Sequence, residues 1–283
     1  RRPRRAYLVA QRGTRGQWFV AREHLAEFLE RRRPPSVRVG FDVTLTTEKS
    51  LGVLALLGDA HTSAVVLGAI QDANDWAMDW LEDHAAYGRV VGKPVKAAGW
   101  MTASFRHLTS RALDPFPHHH NVVANTVTLP DGTHRGLDAR GLYRHAHAAS
   151  ALATAEVRHQ LSTRLGVRWR PSQRPAGWEI DGIDDKVIRE FSQRRSEMDD
   201  ALRELEEEIG RGAHPAEVDR ISLRTRPAKS QTPAATLVDG WRQRGAALGL
   251  DAAALEALAN HTLMVDEPEP AVVFASLAGP DGI

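Results

Sequence analysis

Cysteine is absent from all 283 residues. That excludes disulfides, thiolate metal ligands and thiol nucleophiles, so any metal must sit on His, Asp, Glu or water. No apolar run reaches the roughly 18–20 residues needed to cross a bilayer, and nothing resembles a signal peptide. The chain therefore reads as cytoplasmic, without membrane insertion. Residue 1 is not methionine, which marks the chain as a fragment or a processed product in this reading. Internal repeats are also lacking. Neither sign of charge dominates, since the formal net charge is +1.

What is present is ordinary in bulk and uneven in detail. Hydrophobic residues make up 42% and charged residues 26%, the balance of a globular protein with a proper core. Residues 1–35 carry Arg1, Arg2, Arg4, Arg5 and the run Arg31, Arg32, Arg33, whereas "EMDDALRELEEE" (197–208) is acidic. Such segregation leaves room for a nucleic-acid surface under a neutral total, and equally for a solvated end or a partner contact.

Periodicity sets out the elements. "AREHLAEFLERRR" (21–33) has helical spacing and ends at Pro34 and Pro35, and "SVRVGFDVTL" (36–45) alternates as a strand. Helices are predicted over 46–58 and 60–87, the second with Val65, Leu67, Ile70, Trp76 and Trp80 in the core. Its His61 and His84 read as surface or cap residues. Strands follow over 95–107 and 118–129, with a ten-residue connection between them and a turn at "PDGT" (130–133). A long helix over 138–166 stops at Gly166. Two short strands form a small hairpin around "VRWRP" and "GWEIDGI". Helices then run over 184–210, 214–222, 235–248 and 251–260, and the last residues carry one short strand. The order predicts an α+β fold with an antiparallel sheet. Three parts are expected: a basic segment 1–35, a core 36–183 and a helical part 184–283.

The chemistry gathers in "HLTSRALDPFPHHHNVVAN" (107–125). Side chains alternate along a strand, so His118 and His120 share a face and His119 points away. An antiparallel return brings His107 beside them. Three neutral imidazoles then offer a divalent cation a site with positions left open for water or substrate. Tag-like accident and solvated loop are the competing readings. The run is internal, however, and continues into the apolar "VVANTV". Asp42, inside an apolar strand where a carboxylate needs a partner, is a candidate to orient a ligating histidine or to act as general base.

"FDVTLTTEKS" (41–50), "FRHLTSRALDPFPHHHNVVAN" (105–125), "DGTHRGLDARGLYRHA" (131–146), "RLGVRW" (164–169), "WEIDGI" (178–183) and "FSQRR" (191–195) occur in this order. Together with "LRTRPAKSQTPAATLVDGW" (223–241) they resemble the relaxase domain of the MobF class, the TrwC/TraI-like conjugative relaxases of the HUH endonuclease superfamily. The resemblance covers roughly residues 36 to 245. It implies a central antiparallel sheet with flanking helices and a helical C-terminal lid over bound DNA, and the usual size of such sheets predicts about five strands. The implied activity is nicking and joining of single-stranded DNA at a hairpin-bearing transfer origin in conjugation. Relaxosome and coupling proteins are the implied partners. His107, His118 and His120 would hold Mg²⁺ or Mn²⁺, and Asp42 would accept a proton or orient a histidine. Lys49 and Arg111 would lie near phosphate. The attacking group in the family is a tyrosine near the N-terminus. This chain offers Tyr7, Tyr87 and Tyr143, none in the family's context, so the nucleophile is expected on residues outside the chain. The alternative is a metal- and DNA-binding remnant that does not cut. Trp100, Trp169 and Trp178 are candidates for base stacking, with core packing the preferred reading of each.

Overall fold

The computed structural model describes residues 11–12, 18–24, 38–172, 177–226 and 232–259. Most of the basic segment 1–35, Tyr7 and the strand expected near the C-terminus lie outside them. A small antiparallel pair joins β1 (Gln11–Arg12) to β2 (Trp18–Phe19).

The element that organises the molecule is β7 (Pro115–Thr128), 14 residues long. It lies between β3 (Gly40–Thr46) and β6 (Gly99–Thr109), antiparallel to both, and its far end also pairs with β8 (His134–Arg135). The sheet thus has four strands among the described residues, one fewer than expected. The short strands β4 (Tyr87–Val90) and β5 (Lys93–Lys96) pair with each other, and β9 (Trp169–Pro171) pairs with β10 (Trp178–Ile180). The strand expected over 95–107 is therefore divided between β5 and β6.

Helices cover one face. α1 (Lys49–Leu57) is buried almost throughout. It approaches β7 closely at Gly52, where a Cβ would meet the Pro115 carbonyl oxygen at 2.6 Å. α2 (Ala60–Ala85) starts at Asp59, whose side chain accepts from the Thr62 backbone N–H. It turns Val66, Ala69, Ile70, Ala73, Ala77 and Leu81 inward at helical spacing. Trp76 is not among them. It is 41% exposed, because its position on the helix falls outside that inward stripe. Trp80 is partly buried and stacks on His84. α3 (Arg140–Leu165) packs beside α2 and ends at Gly166, whose φ of 64° is the left-handed cap expected there.

The helix expected over 184–210 is two helices, α4 (Asp185–Glu190) and α5 (Gln193–Ile209). Phe191 breaks the run by turning wholly into the core. α6 (Pro215–Arg224), α7 (Val238–Ala247) and α8 (Ala252–Leu258) follow. One core cluster gathers Leu54 of α1, Val66 of α2, Leu161 of α3, Phe191, Trp241 of α7 and Leu255 of α8. Trp169 packs against it, whereas Trp100 packs against a second cluster under the sheet.

The start of α6 carries a pH-sensitive feature. The Glu217 carboxylate accepts from the His214 backbone N–H at 2.8 Å and from both Arg211 guanidinium nitrogens. The Arg211 bonds first, then the backbone bond, push its pKa down to about 2. A carboxylate depressed on folding stabilises above its unfolded value and loses that contribution as pH falls towards the folded one. Between pH 5 and pH 3 the melting temperature of the wild type is expected to fall further than that of Glu217→Gln, as thermal scans would register.

Candidate metal centre

Strand register builds the site. Thr44 lies opposite His120 and Thr46 opposite His118 across β3 and β7, while His107 lies opposite His118 across β6 and β7. Period-two alternation puts His118 and His120 on the face away from α2. Their ring centroids are 5.1 Å apart, and His107 stands 5.3 Å from the first and 4.9 Å from the second. One ligand nitrogen from each ring lies within 4.8 Å of the others. His119 takes the opposite face as expected. It is buried, and its Nε2 donates to Gln71 Oε1 of α2 at 3.0 Å.

The hydrogen bonds fix tautomers that suit a ligand. A carbonyl oxygen only accepts, so His118 Nδ1 carries the proton it gives to Phe116 O at 2.8 Å, leaving Nε2 bare. His120 Nδ1 gives its proton to the Asp42 carboxylate, at 2.8 and 3.0 Å from the two oxygens, and presents Nε2 likewise. Thr44 Oγ1 donates to Asp42 Oδ1 at 3.3 Å. Burial, with smaller effects from the neighbouring histidines, holds His118 below the ordinary imidazole pKa, which keeps it neutral and able to ligate. The all-nitrogen donor set by itself suits a borderline divalent cation, and a harder one would draw its oxygen ligands from water or substrate at the open positions. The reason given for Asp42 from sequence needs correcting. The carboxylate is half exposed and not buried, but the expected partner is there.

The histidines sit in a cleft of about 530 Å³. Among the described residues, Arg106, Arg111, Arg194 and Arg226 line it and no carboxylate does. Its floor is the β6–β7 hairpin and its far wall comes from the C-terminal helices. A cleft with this charge attracts a polyanion before any metal is counted. Arg111, expected near phosphate, is one of the residues that line it. Lys49 does not line the cleft. Its Nζ donates to Pro115 O at 3.3 Å and lies 4.6 Å from the Phe116 ring centre. Tyr87 and Tyr143 do not line it either. The Tyr143 hydroxyl accepts from Arg38 at 3.1 Å, and its ring meets Phe41 edge-on.

Sequence reasoning did not assign roles to Arg194 and Arg226. Both lie in motifs quoted for the family resemblance, "FSQRR" and "LRTRPAKS", and that was the available signal. The connection between the metal strands is also tighter than expected. Pairing continues to Thr109 and Pro115, leaving only residues 110–114 as the turn.

Fold and side chains together define a candidate metal-centre domain, with three histidines on two neighbouring strands at the base of a basic cleft. The sequence matches the model of the TrwC relaxase family over residues 6–248. The chain belongs to that family. It is 28% identical over 263 residues to the multifunctional conjugation protein TraI of Escherichia coli, covering 86% of this chain and 14% of that protein. A TraI from strain K12 is 27% identical over the same shares. The chain thus spans about one seventh of the length of the curated relatives it matches. Among solved structures, the conjugative relaxase TrwC in a copper-bound complex with oriT DNA superposes with a TM-score of 0.67 at 25% identity, covering 78% of this chain and 74% of that one. TrwC with a 27-mer DNA comprising the recognition hairpin and the cleavage site gives 0.65 at 26%, covering 75% of each.

Proposed function

We propose that this chain is the DNA-nicking and -joining part of a conjugative relaxase, acting on one strand at a transfer origin in the cytoplasm with relaxosome and coupling proteins as partners. The observation that carries the reading is the convergence of three histidine nitrogens, within 4.8 Å of one another, at the base of a cleft lined by arginines. His107, His118 and His120 are assigned as ligands of Mg²⁺ or Mn²⁺. A divalent ion there would supply the charge that polarises a phosphate and offsets charge on its oxygens.

Asp42 fixes the ring and tautomer of His120. Arg111 is assigned to phosphate, since its planar fork pairs with two oxygens. Lys49 would have to leave the Pro115 carbonyl to reach the strand, so it is assigned to the hairpin instead. The helices from α5 onward are assigned the role of closing over bound DNA. The attacking hydroxyl belongs to a tyrosine other than Tyr87 and Tyr143. Among the described residues no tyrosine lines the cleft, and that favours the second reading, a domain that binds metal and strand without cutting.

Incubation with Mn²⁺ and a labelled single-stranded oligonucleotide from the transfer origin of the encoding element separates the two. A denaturation-resistant protein–DNA adduct supports the first reading, metal-dependent binding without adduct the second, and neither binding nor adduct overturns both. Asp42→Asn is expected to weaken Mn²⁺ binding by about 10- to 100-fold, the usual cost of losing a carboxylate behind a ligating histidine. Calorimetric titration gives that number, and an unchanged affinity would remove Asp42 from the site.

A further inference from the structure

The histidines come from two strands, and backbone pairing alone does not fix their alignment. Register shifts between His107 and Thr109, immediately before the turn. A slip of one residue there would carry His107 to the opposite face of the sheet, away from His118 and His120. Something besides the ladder must hold this end of the hairpin.

The turn itself is strained. Leu113 has φ of 61°, in the left-handed region that a branched side chain rarely adopts. Such a conformation persists only where the surroundings impose it. Two contacts from the C-terminal helices do so. Trp241 of α7 is 1% exposed, and its Nε1 donates to the Leu113 carbonyl at 3.0 Å. Asp114 is equally buried. Its Oδ2 accepts from Ser110 Oγ at 3.1 Å and from the Arg194 backbone N–H in the first turn of α5 at 3.4 Å. Ser110 Oγ in turn accepts from the backbone N–H groups of Ala112 and Asp114. Asp114 Oδ1 is buried with no hydrogen-bond partner among the described residues. Burial raises the carboxyl's pKa, since a desolvated carboxylate is costly.

We propose that Asp114 and Trp241 are positioning residues for the metal centre, holding the β6–β7 turn from the C-terminal helices so that His107 faces His118 and His120. Neither touches the ion or the strand. The same joint sets α5, and with it Arg194, against the hairpin. The position of the cleft's far wall and the spacing of the ligands are therefore fixed together. The inference rests on the three histidines being a metal site.

The test compares Mn²⁺ affinity, measured by electron paramagnetic resonance on the whole chain, in Trp241→Phe, Asp114→Asn and Leu161→Ala. Trp241→Phe keeps an aromatic side chain but loses the donor and part of the buried indole volume, and Asp114→Asn keeps the shape. Leu161→Ala truncates the core in α3 and lowers the melting temperature without altering the turn's hydrogen bonds. The first two are expected to lose affinity about tenfold, within the range for outer-shell partners, and to shift the visible absorption of bound Co²⁺. Leu161→Ala should stay within twofold of wild type. Wild-type affinity in both turn variants overturns the proposal. So does a loss that follows melting temperature across all three, which would make the role merely structural. Absence of Mn²⁺ binding by the wild type instead overturns the reading of the histidines themselves.

Discussion

In a His118→Ala variant, Mn²⁺ affinity is expected to fall by more than about a hundredfold, beyond the range for a residue that only supports a ligand. His118 is the best-prepared of the three. It is 8% exposed, its Nδ1 proton is committed to Phe116 O, and burial keeps the ring neutral. Alanine leaves His107 and His120 on different strands, with the position between them vacant. The fold should tolerate the change, since it deletes one side chain and one hydrogen bond worth about 1 kcal/mol. The informative result is thus a divergence, with affinity lost and melting temperature nearly kept. Titration alongside a thermal scan reads both, and an affinity within tenfold of wild type would take His118 out of the metal site.

Phe191→Ala should have the converse profile, with the largest stability loss expected of any single truncation discussed here. The ring is fully buried at the break between α4 and α5, and the Arg244 guanidinium lies 5.0 Å from its centre. Truncating a buried phenylalanine costs about 3–5 kcal/mol through lost transfer energy and the cavity left behind. Against a typical total of about 5–15 kcal/mol, that is a large share. At roughly 2–4 °C per kcal/mol, the melting temperature should drop by about 6 °C or more. A drop under about 2 °C would mean that the C-terminal helices contribute little to the common core.

Which parts of this were readable beforehand follows from the length scale of each signal. Alternation is a two-residue pattern, and it correctly separated His119 from His118 and His120 before any coordinates. Capping is equally local, so Gly166 ended its helix as expected. Failures came where distant packing decided. Trp76 belongs to a helix whose inward stripe passes it by. Phe191 interrupts a run with helical composition because the core takes its side chain. The turn at 110–114 is short because Ser110 and Asp114 satisfy its backbone, helped by a tryptophan 128 positions further on. Lys49 was read from its place in a motif, which says nothing of the carbonyl its ammonium meets. Asp42 stands in an apolar strand yet is half exposed, and its pairing with His120, which sequence does not display, is what marks it. The expected count of about five strands rested on the usual size of such sheets, and four are seen among the described residues.

The strand that carries His107 differs from the one that carries the other two histidines. From Met101 to His107, β6 is exposed at every residue, on both faces, and among the described residues it pairs only with β7. Its amides have little buried surface to protect them, so they should exchange with solvent through local fraying long before β7 opens. An opening that spreads along β6 as far as the clamped turn would carry one imidazole away and leave two in place. If the histidines hold a metal ion as proposed, its loading and release would need only the opening of an outer strand, without unfolding of the domain. Occupancy should in turn slow amide exchange along β6 more than along β7, because a ligand that binds only the closed form stabilises it.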